Sequence, residues 1–413
     1  MPQNAAASDE PTRAVRHESE SFHIMNSIFR TIGWGLFCTS SWTWCIGMWL
    51  PVIVIERWGW PGFWAFAISN ILGCTLMGYV VGSRSRSEQL VKDHRGPMRW
   101  FSVFTIAFQL FWVSAVFGYM GWFFGLPHGT AMILAPLGVL LLGGVMSRMP
   151  MAGWLLFALL AYLFTIGIFT TIGTGSLEHI SMTGQRPQIQ LWGTIPIIFI
   201  GFMLSPYLDL TFHRARRETP SSHSFAVFGG SFFIVLLLVA ACYGIMNPDS
   251  DAPAPTTAIV ILISLLWLAQ VTFTIGAHLR ELKATNDPSP QRWGSTARLM
   301  CIAVLVMPMT WLAMRMHGAA TNDWHWILED HYLRFLGFYG LLVPTWVLAF
   351  MGPRRPATRS MGACIALAIA TAIALPMAEH GMIKIASWWI LIGVTIVTTI
   401  ALMLPRDAAR HAN

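Results

Sequence analysis

The sequence predicts an all-α polytopic membrane protein with about twelve transmembrane helices. Three observations carry this. The 413 residues are 55% hydrophobic and only 11% charged, where a soluble globular chain carries about 25% charged residues. Apolar runs long enough to cross a hydrocarbon core of about 30 Å recur along the chain, and the mean hydropathy is +0.58. The positive charges also alternate in place. All but five of the 26 Lys and Arg residues fall in ends and loops of one parity, the exceptions being Arg57, Arg186, Arg315, Arg334 and Lys384.

The charge deficit sets aside a soluble enzyme, a disordered chain and a nucleic-acid binder, because a folded surface of this size needs more charge to stay in water. The net charge of +7 is a topology signal and not a nucleic-acid footprint. Loop positive charge marks the cytoplasmic side, so both termini are expected in the cytoplasm and the chain in the cytoplasmic (inner) membrane. A β-barrel would show short alternating segments, and none occur.

The elements follow in order. Residues 1–29 form a polar arm without an apolar run, so no cleavable signal is expected and the first span directs insertion. The first span, 30–56, and the second, 61–82, are separated by Arg57-Trp58-Gly59-Trp60. Span three, 98–123, follows the basic Arg95 and Arg99. Span four, 129–147, ends at Arg148, and span five is 151–174. The segment 175–192 is long enough for a short surface helix over an outer vestibule. Span six, 193–213, is closed by Arg214, Arg216 and Arg217. Spans seven, 223–246, and eight, 256–279, flank Asn247-Pro248-Asp249. Spans nine, 297–316, and ten, 332–351, are joined by the loop 318–331. Spans eleven, 358–378, and twelve, 383–404, lie in the last part, 352–404, before a cytoplasmic tail of 405–413. No soluble domain, Walker A or GxGxxG is present, nor HExxH or GxSxG, so neither an ATP-driven pump nor an enzyme is indicated. No cofactor is expected beyond Na+ or H+ as a coupling ion.

Spans one and six share a pattern. Ile46-Gly47-Met48-Trp49-Leu50-Pro51 in one matches Ile200-Gly201-Phe202-Met203-Leu204-Ser205-Pro206 in the other. Glycine adds flexibility and proline removes a helical hydrogen bond, so both spans are expected to break near mid-membrane, at Gly47 and Gly201. A broken helix frees backbone groups that bind a polar solute and an ion. Ordinary kinks are the plainer alternative, since Gly and Pro are frequent in membrane helices. The two spans cross in opposite directions by the charge count, so units related this way are inverted.

With its first and sixth spans interrupted, the chain resembles the leucine-transporter fold of the amino acid–polyamine–cation superfamily. Span six, from Gly201 through Pro206 and Asp209 to His213, looks nearest to that of sodium/solute and nucleobase–cation symporters. The resemblance implies two inverted five-helix repeats, 30–174 and 193–351, plus two peripheral helices. It implies substrate against spans one, three, six and eight, and a sodium ion between the first break and hydroxyls of span eight. Where the family places adjacent hydroxyls, span eight has Thr272 and Thr274 with Phe273 between.

Asp209 is the only one of 19 acidic residues deep within a span. Such a carboxylate faces a cavity or a partner, here a coupling cation, His213, or a clamp to Arg214, Arg216 or a loop arginine. Candidate substrate residues are Ser40, Ser41, Trp44, Gly47, Gln109, Trp112, Gly201, Met203 and Ser205. Candidate ion-coupling residues are Asp209, Thr272 and Thr274. Hydroxyls, an amide and indole faces suit a small polar or zwitterionic solute, although such groups also serve helix packing. Trp58, Trp60, Trp122, Trp192, Trp324, Trp326, Trp388 and Trp389 read as interface anchors. Met300, Met307 and Met314 form a stripe that reads as packing rather than a copper path. The six cysteines read as small buried hydrophobes and not as a disulfide or metal frame.

The expected function is secondary active transport of a small organic solute by cation-coupled alternating access, with the lipid bilayer and the solute as partners. Two alternatives are a non-transporting scaffold or sensor subunit and a major-facilitator-type permease. The loop Gly82-Ser-Arg84-Ser-Arg86 resembles the basic loop of the latter, without its acidic member.

Overall fold

The computed structural model describes residues 10–120, 128–173, 177–246, 256–285, 324–351, 361–383 and 388–403. Span nine, with its Met stripe, lies outside the described residues. The helices are α1 (Glu10–Trp42), α2 (Leu50–Val81), α3 (Arg84–Asp93), α4 (Arg95–Met120), α5 (His128–Met146) and α6 (Met151–Gly173). They continue as α7 (Gln188–Leu204), α8 (Leu210–Glu218), α9 (His223–Met246) and α10 (Thr257–Ala284). The last are α11 (Trp324–Trp346), α12 (Met361–Ile383) and α13 (Trp388–Met403).

Eight of these stretches are long and apolar enough to cross a membrane, and Thr130–Met146 and Ile392–Ala401 are shorter apolar helices. Backbone polar groups have no partner in hydrocarbon, which favours helix in such runs. The outward faces are apolar too. Leu141 and Val145 on α5 are 71% and 68% exposed, and Leu156 and Leu160 on α6 are each 56% exposed. In water such a surface would be costly. The protein is an integral membrane protein.

Spans one and two share α2. Gly59 turns the chain there with φ +68°, a conformation that strains a residue with a Cβ. A Cβ at Gly59 would also meet the Ser181 carbonyl. The segment before α7 closes over this turn through its backbone. Trp60 N donates to Ser181 O at 3.0 Å, and Gln185 N and Arg186 N donate to Glu56 O and Arg57 O, each at 2.8 Å. The segment covers this turn as a loop, with a single 3-10 turn at Leu177–His179, and its backbone is held by residues 56–60. The reading of Trp58 is corrected. This side chain is fully buried under this cover and anchors no interface, whereas Trp192 is 67% exposed as an anchor would be.

Packing follows an exchange rule. α1 packs against α9 and α6, and α7 packs against α2 and α11. Exchanging span one with six, two with seven and five with ten turns the first pair of contacts into the second. The α2–α9 and α4–α10 contacts map onto themselves. This is the packing of two structural repeats, traced by their described helices. α12 and α13 pack on each other and reach the core at α11 and α7, as peripheral helices. The first and sixth spans are both interrupted, which argues against the facilitator architecture.

Candidate functional site

The two interruptions have local causes. After Trp42 the chain winds a single π-helical turn over Thr43–Gly47 before α2 begins. Pro51 lacks an N–H and its ring crowds the carbonyl four residues earlier, at Gly47, so the helix cannot run through. A carbonyl freed there is used at once: Tyr332 Oη on α11 donates to Cys45 O at 2.8 Å. The second break lies later than the sequence suggests. Gly201 is inside α7, and the helix gives way at the 3-10 turn Ser205–Leu208 that contains Pro206. Gly201 instead permits close packing, since a Cβ there would meet Gly340 Cα at 2.9 Å.

Asp209 follows this turn in extended conformation and caps α8. Its Oδ1 accepts from Thr211 N at 2.8 Å and from Thr211 Oγ1 at 2.7 Å. Its Oδ2 accepts from Trp42 Nε1 at 3.0 Å. The N-terminus of a helix stabilises such a carboxylate. Its partners are therefore an indole and the cap, and not His213, Arg214 or Arg216. His213 bonds instead to Tyr207 O at 3.0 Å and to Ser87 Oγ on α3 at 2.8 Å.

A small cavity of about 20 Å³ lies between the breaks, lined by residues of α1, the Thr43–Gly47 turn, α4, α10 and α11 and by Asp209. Of the sequence-predicted residues, Ser41, Gln109 and Asp209 line it. Trp42, Cys45, Phe101, Thr105, His278, Phe335 and Tyr339 line it as well and were missed. The cavity volume matches about one water molecule. Cys45 Sγ donates to Gln109 Oε1 at 3.1 Å. His278 is buried, and its Nδ1 has no hydrogen-bond partner among the described residues.

The other predicted residues lie around this centre. Ser40 Oγ donates to Ala158 O on α6 at 3.3 Å. Trp44 and Trp112 join Trp49 and Trp267 in one indole cluster, with Trp49 5.4 Å from Trp112 and 4.9 Å from Trp267. Gly47 packs on the Phe232 ring, and Met203 backs onto Gly73 of α2. Ser205 donates to Gly201 O. Thr272 is buried. Thr274 Oγ1 reaches Ser41 O at 3.0 Å and Gln270 O at 3.1 Å. One span-eight hydroxyl of the pair that the resemblance set toward the first break thus donates to a carbonyl shortly before that break.

Two ion clusters flank the cavity. Arg57, fully buried, meets Glu329 at 3.0 Å and Asp330 at 2.9 Å near the start of α11. Glu281, near the end of α10, meets Arg214 at 2.8 Å and Arg217 at 3.3 Å, while Arg214 also meets Glu218 at 3.2 Å. Arg57 lies near the start of α2, and α3, which follows the end of α2, packs on α8, the helix that carries Arg214, so the clusters lie toward opposite ends of α2. A larger cleft of about 750 Å³ runs between α4 and α11 past Phe104, Phe108 and Phe111. It is mainly apolar and gathers none of the buried acidic groups.

No protein-family model matches the chain, and no curated protein matches it. It is similar to the inward-facing conformation of Mhp1, at 12% identity and a TM-score of 0.43 over 89% of this chain and 90% of that one. It is also similar to a manganese transporter of Eremococcus coleocola in complex with an aromatic bis-isothiourea substituted compound. That match has 11% identity and a TM-score of 0.42, over 97% of this chain and 94% of the other.

Proposed function

We propose that this protein is a secondary transporter that moves a small polar or zwitterionic organic solute by cation-coupled alternating access. The observation that carries the reading is Asp209, a buried carboxylate set between two interrupted spans. A charged side chain at membrane depth costs about 2.5–3.5 kcal/mol on insertion scales. No lysine or arginine lines the cavity beside it. The site therefore calls for a positive charge that arrives with the cargo. The interruptions supply hinges, at Thr43–Gly47 and at Ser205–Leu208, where half-helices swing without breaking a continuous ladder.

Access from one end requires the Arg57–Glu329–Asp330 cluster to part. Access from the other requires Glu281 to release Arg214 and Arg217. Gln109 and Ser41 give the solute polar contacts, and Asp209 gives the charge.

The test is a thermal-stability screen of purified protein against amino acids, nucleobases, sugars, amines and osmolytes, with sodium or potassium. A solute that binds only the folded state raises apparent stability by mass action. The hit is then assayed for concentrative uptake into proteoliposomes under an ion gradient. A solute that both stabilises and accumulates supports transport. Folded protein that responds to no solute would replace this reading with a scaffold or sensor subunit.

A further inference from the structure

We infer that the positive charge received at Asp209 belongs to the solute itself, so that the cavity selects small organic cations, protonated or quaternary amines. The inference rests on the transport reading and names its substrate class. The walls carry it. Beside Asp209 the cavity is faced by the rings of Trp42, Phe101, Phe335 and Tyr339. Phe101 and Phe335 lie 5.7 Å and 5.5 Å from the Tyr339 ring, and Trp42 lies 6.5 Å from it. Aromatic faces attract ammonium groups, most strongly where water is excluded. A carboxylate among rings suits an organic cation, in which one charge is carried on an apolar body.

A bare metal ion is served less well, since hard cations gather many oxygen ligands. The nearby hydroxyls are already turned to carbonyls. Ser41 Oγ donates to Cys38 O at 2.8 Å, and Thr105 Oγ1 donates to Phe101 O at 2.9 Å. Thr274 is tied to the Ser41 carbonyl. An anionic solute meets no lysine or arginine among the described residues of the cavity wall, where His278 is the one basic side chain. The cavity of about 20 Å³ has room for about one water molecule, so binding an amine must displace rings, and Phe335 and Tyr339 on α11 stand where a shift of that helix would widen it.

The experiment compares matched probes on the full chain in detergent or nanodiscs. Choline and ethanolamine are set against the uncharged isostere of choline with carbon in place of nitrogen, against ethylene glycol, and against propionate. Sodium chloride and potassium chloride form a further pair. The expected result is saturable stabilisation by the amines and none by the neutral or anionic probes. Asp209→Asn should abolish that shift, and Phe101→Leu should weaken it several-fold. The wild-type comparison of choline with its isostere stands even where a variant does not fold. Equal stabilisation by the neutral isosteres would overturn the inference and leave transport standing. So would a sodium-specific shift that is lost in Asp209→Asn, which would make Asp209 an inorganic-ion site. No response to any probe or to the wider solute screen would overturn both.

Discussion

Trp42 and Asp209 stand at the two interruptions of the fold, and one hydrogen bond of 3.0 Å joins them. The last residue of α1 thus holds the residue that caps α8. Neither half-helix can swing without breaking or carrying this bond, which gives the paired breaks a common latch.

Trp42→Phe removes the indole donor and keeps most of the ring packing. A hydrogen bond to a charged group contributes about 1.5–3 kcal/mol, so the variant should lose stability in that range. In Asp209→Asn the same substitution should cost less. Unfolding curves of the two single variants and the double variant check this, and additive losses would contradict a direct bond.

The ion clusters predict unequal effects along the surface. Glu281→Gln leaves Arg214 and Arg217 without their shared buried partner. Breaking a buried pair by removing one partner costs about 3–5 kcal/mol. Arg84→Gln breaks an exposed i,i+4 pair with Glu88 and should leave stability essentially unchanged, since solvent screens such a pair. Melting temperatures of the two variants in the same detergent measure the contrast.

Close backbone approach predicts a third pattern. A Cβ at Gly73 would strike the Phe202 carbonyl on α7, and one at Gly340 would strike Ile197. Backbone cannot yield as a side chain can, so Gly73→Ala and Gly340→Ala should each sharply lower folded yield. At Gly138 and Gly144 on α5 no described residue lies within 4 Å of the added carbon. Alanine there should hold or raise stability by up to about 1 kcal/mol, from helix propensity alone. Thermal melts of the four variants decide it.

The Thr274 hydroxyl ties α10 to the first break. Thr274→Val should cost about 0.5–1.5 kcal/mol, and Thr274→Ser should restore most of it. Denaturation curves with sodium and with potassium test the tie against an ion. A loss in Thr274→Val that appears only with sodium would contradict a direct hydrogen bond.

Much of the membrane architecture is legible in the sequence because lipid leaves few choices. Apolar length and loop charge place most described helices to within several residues. Asp209 is legible because a deep carboxylate is rare. The second break is displaced because Gly201 and Pro206 both read as breakers, and only packing decides: Gly201 is spent on contact with Gly340, leaving Pro206 to end the helix. Phe101, Phe335 and Tyr339 were not legible, since a ring on an apolar helix looks alike whether it faces lipid or a cavity. His278 sits at the end of its span and reads as an interfacial residue. Only its position beside Asp209 across the cavity reveals it. The Arg57–Glu329 contact spans most of the sequence, and no local pattern announces such a pair.

Alternating access itself is tested most directly at Cys45, a cavity thiol. The measurement is its labelling by a membrane-impermeant thiol reagent applied to either face of oriented proteoliposomes, read residue by residue by mass spectrometry. The wild type should label slowly from both faces. Glu329→Gln with Asp330→Asn should speed labelling from the face where Arg57 lies, and Glu281→Gln from the opposite face. Acceleration from the same face in both variants, or from neither in folded protein, would contradict a cavity that opens in turn to the two sides.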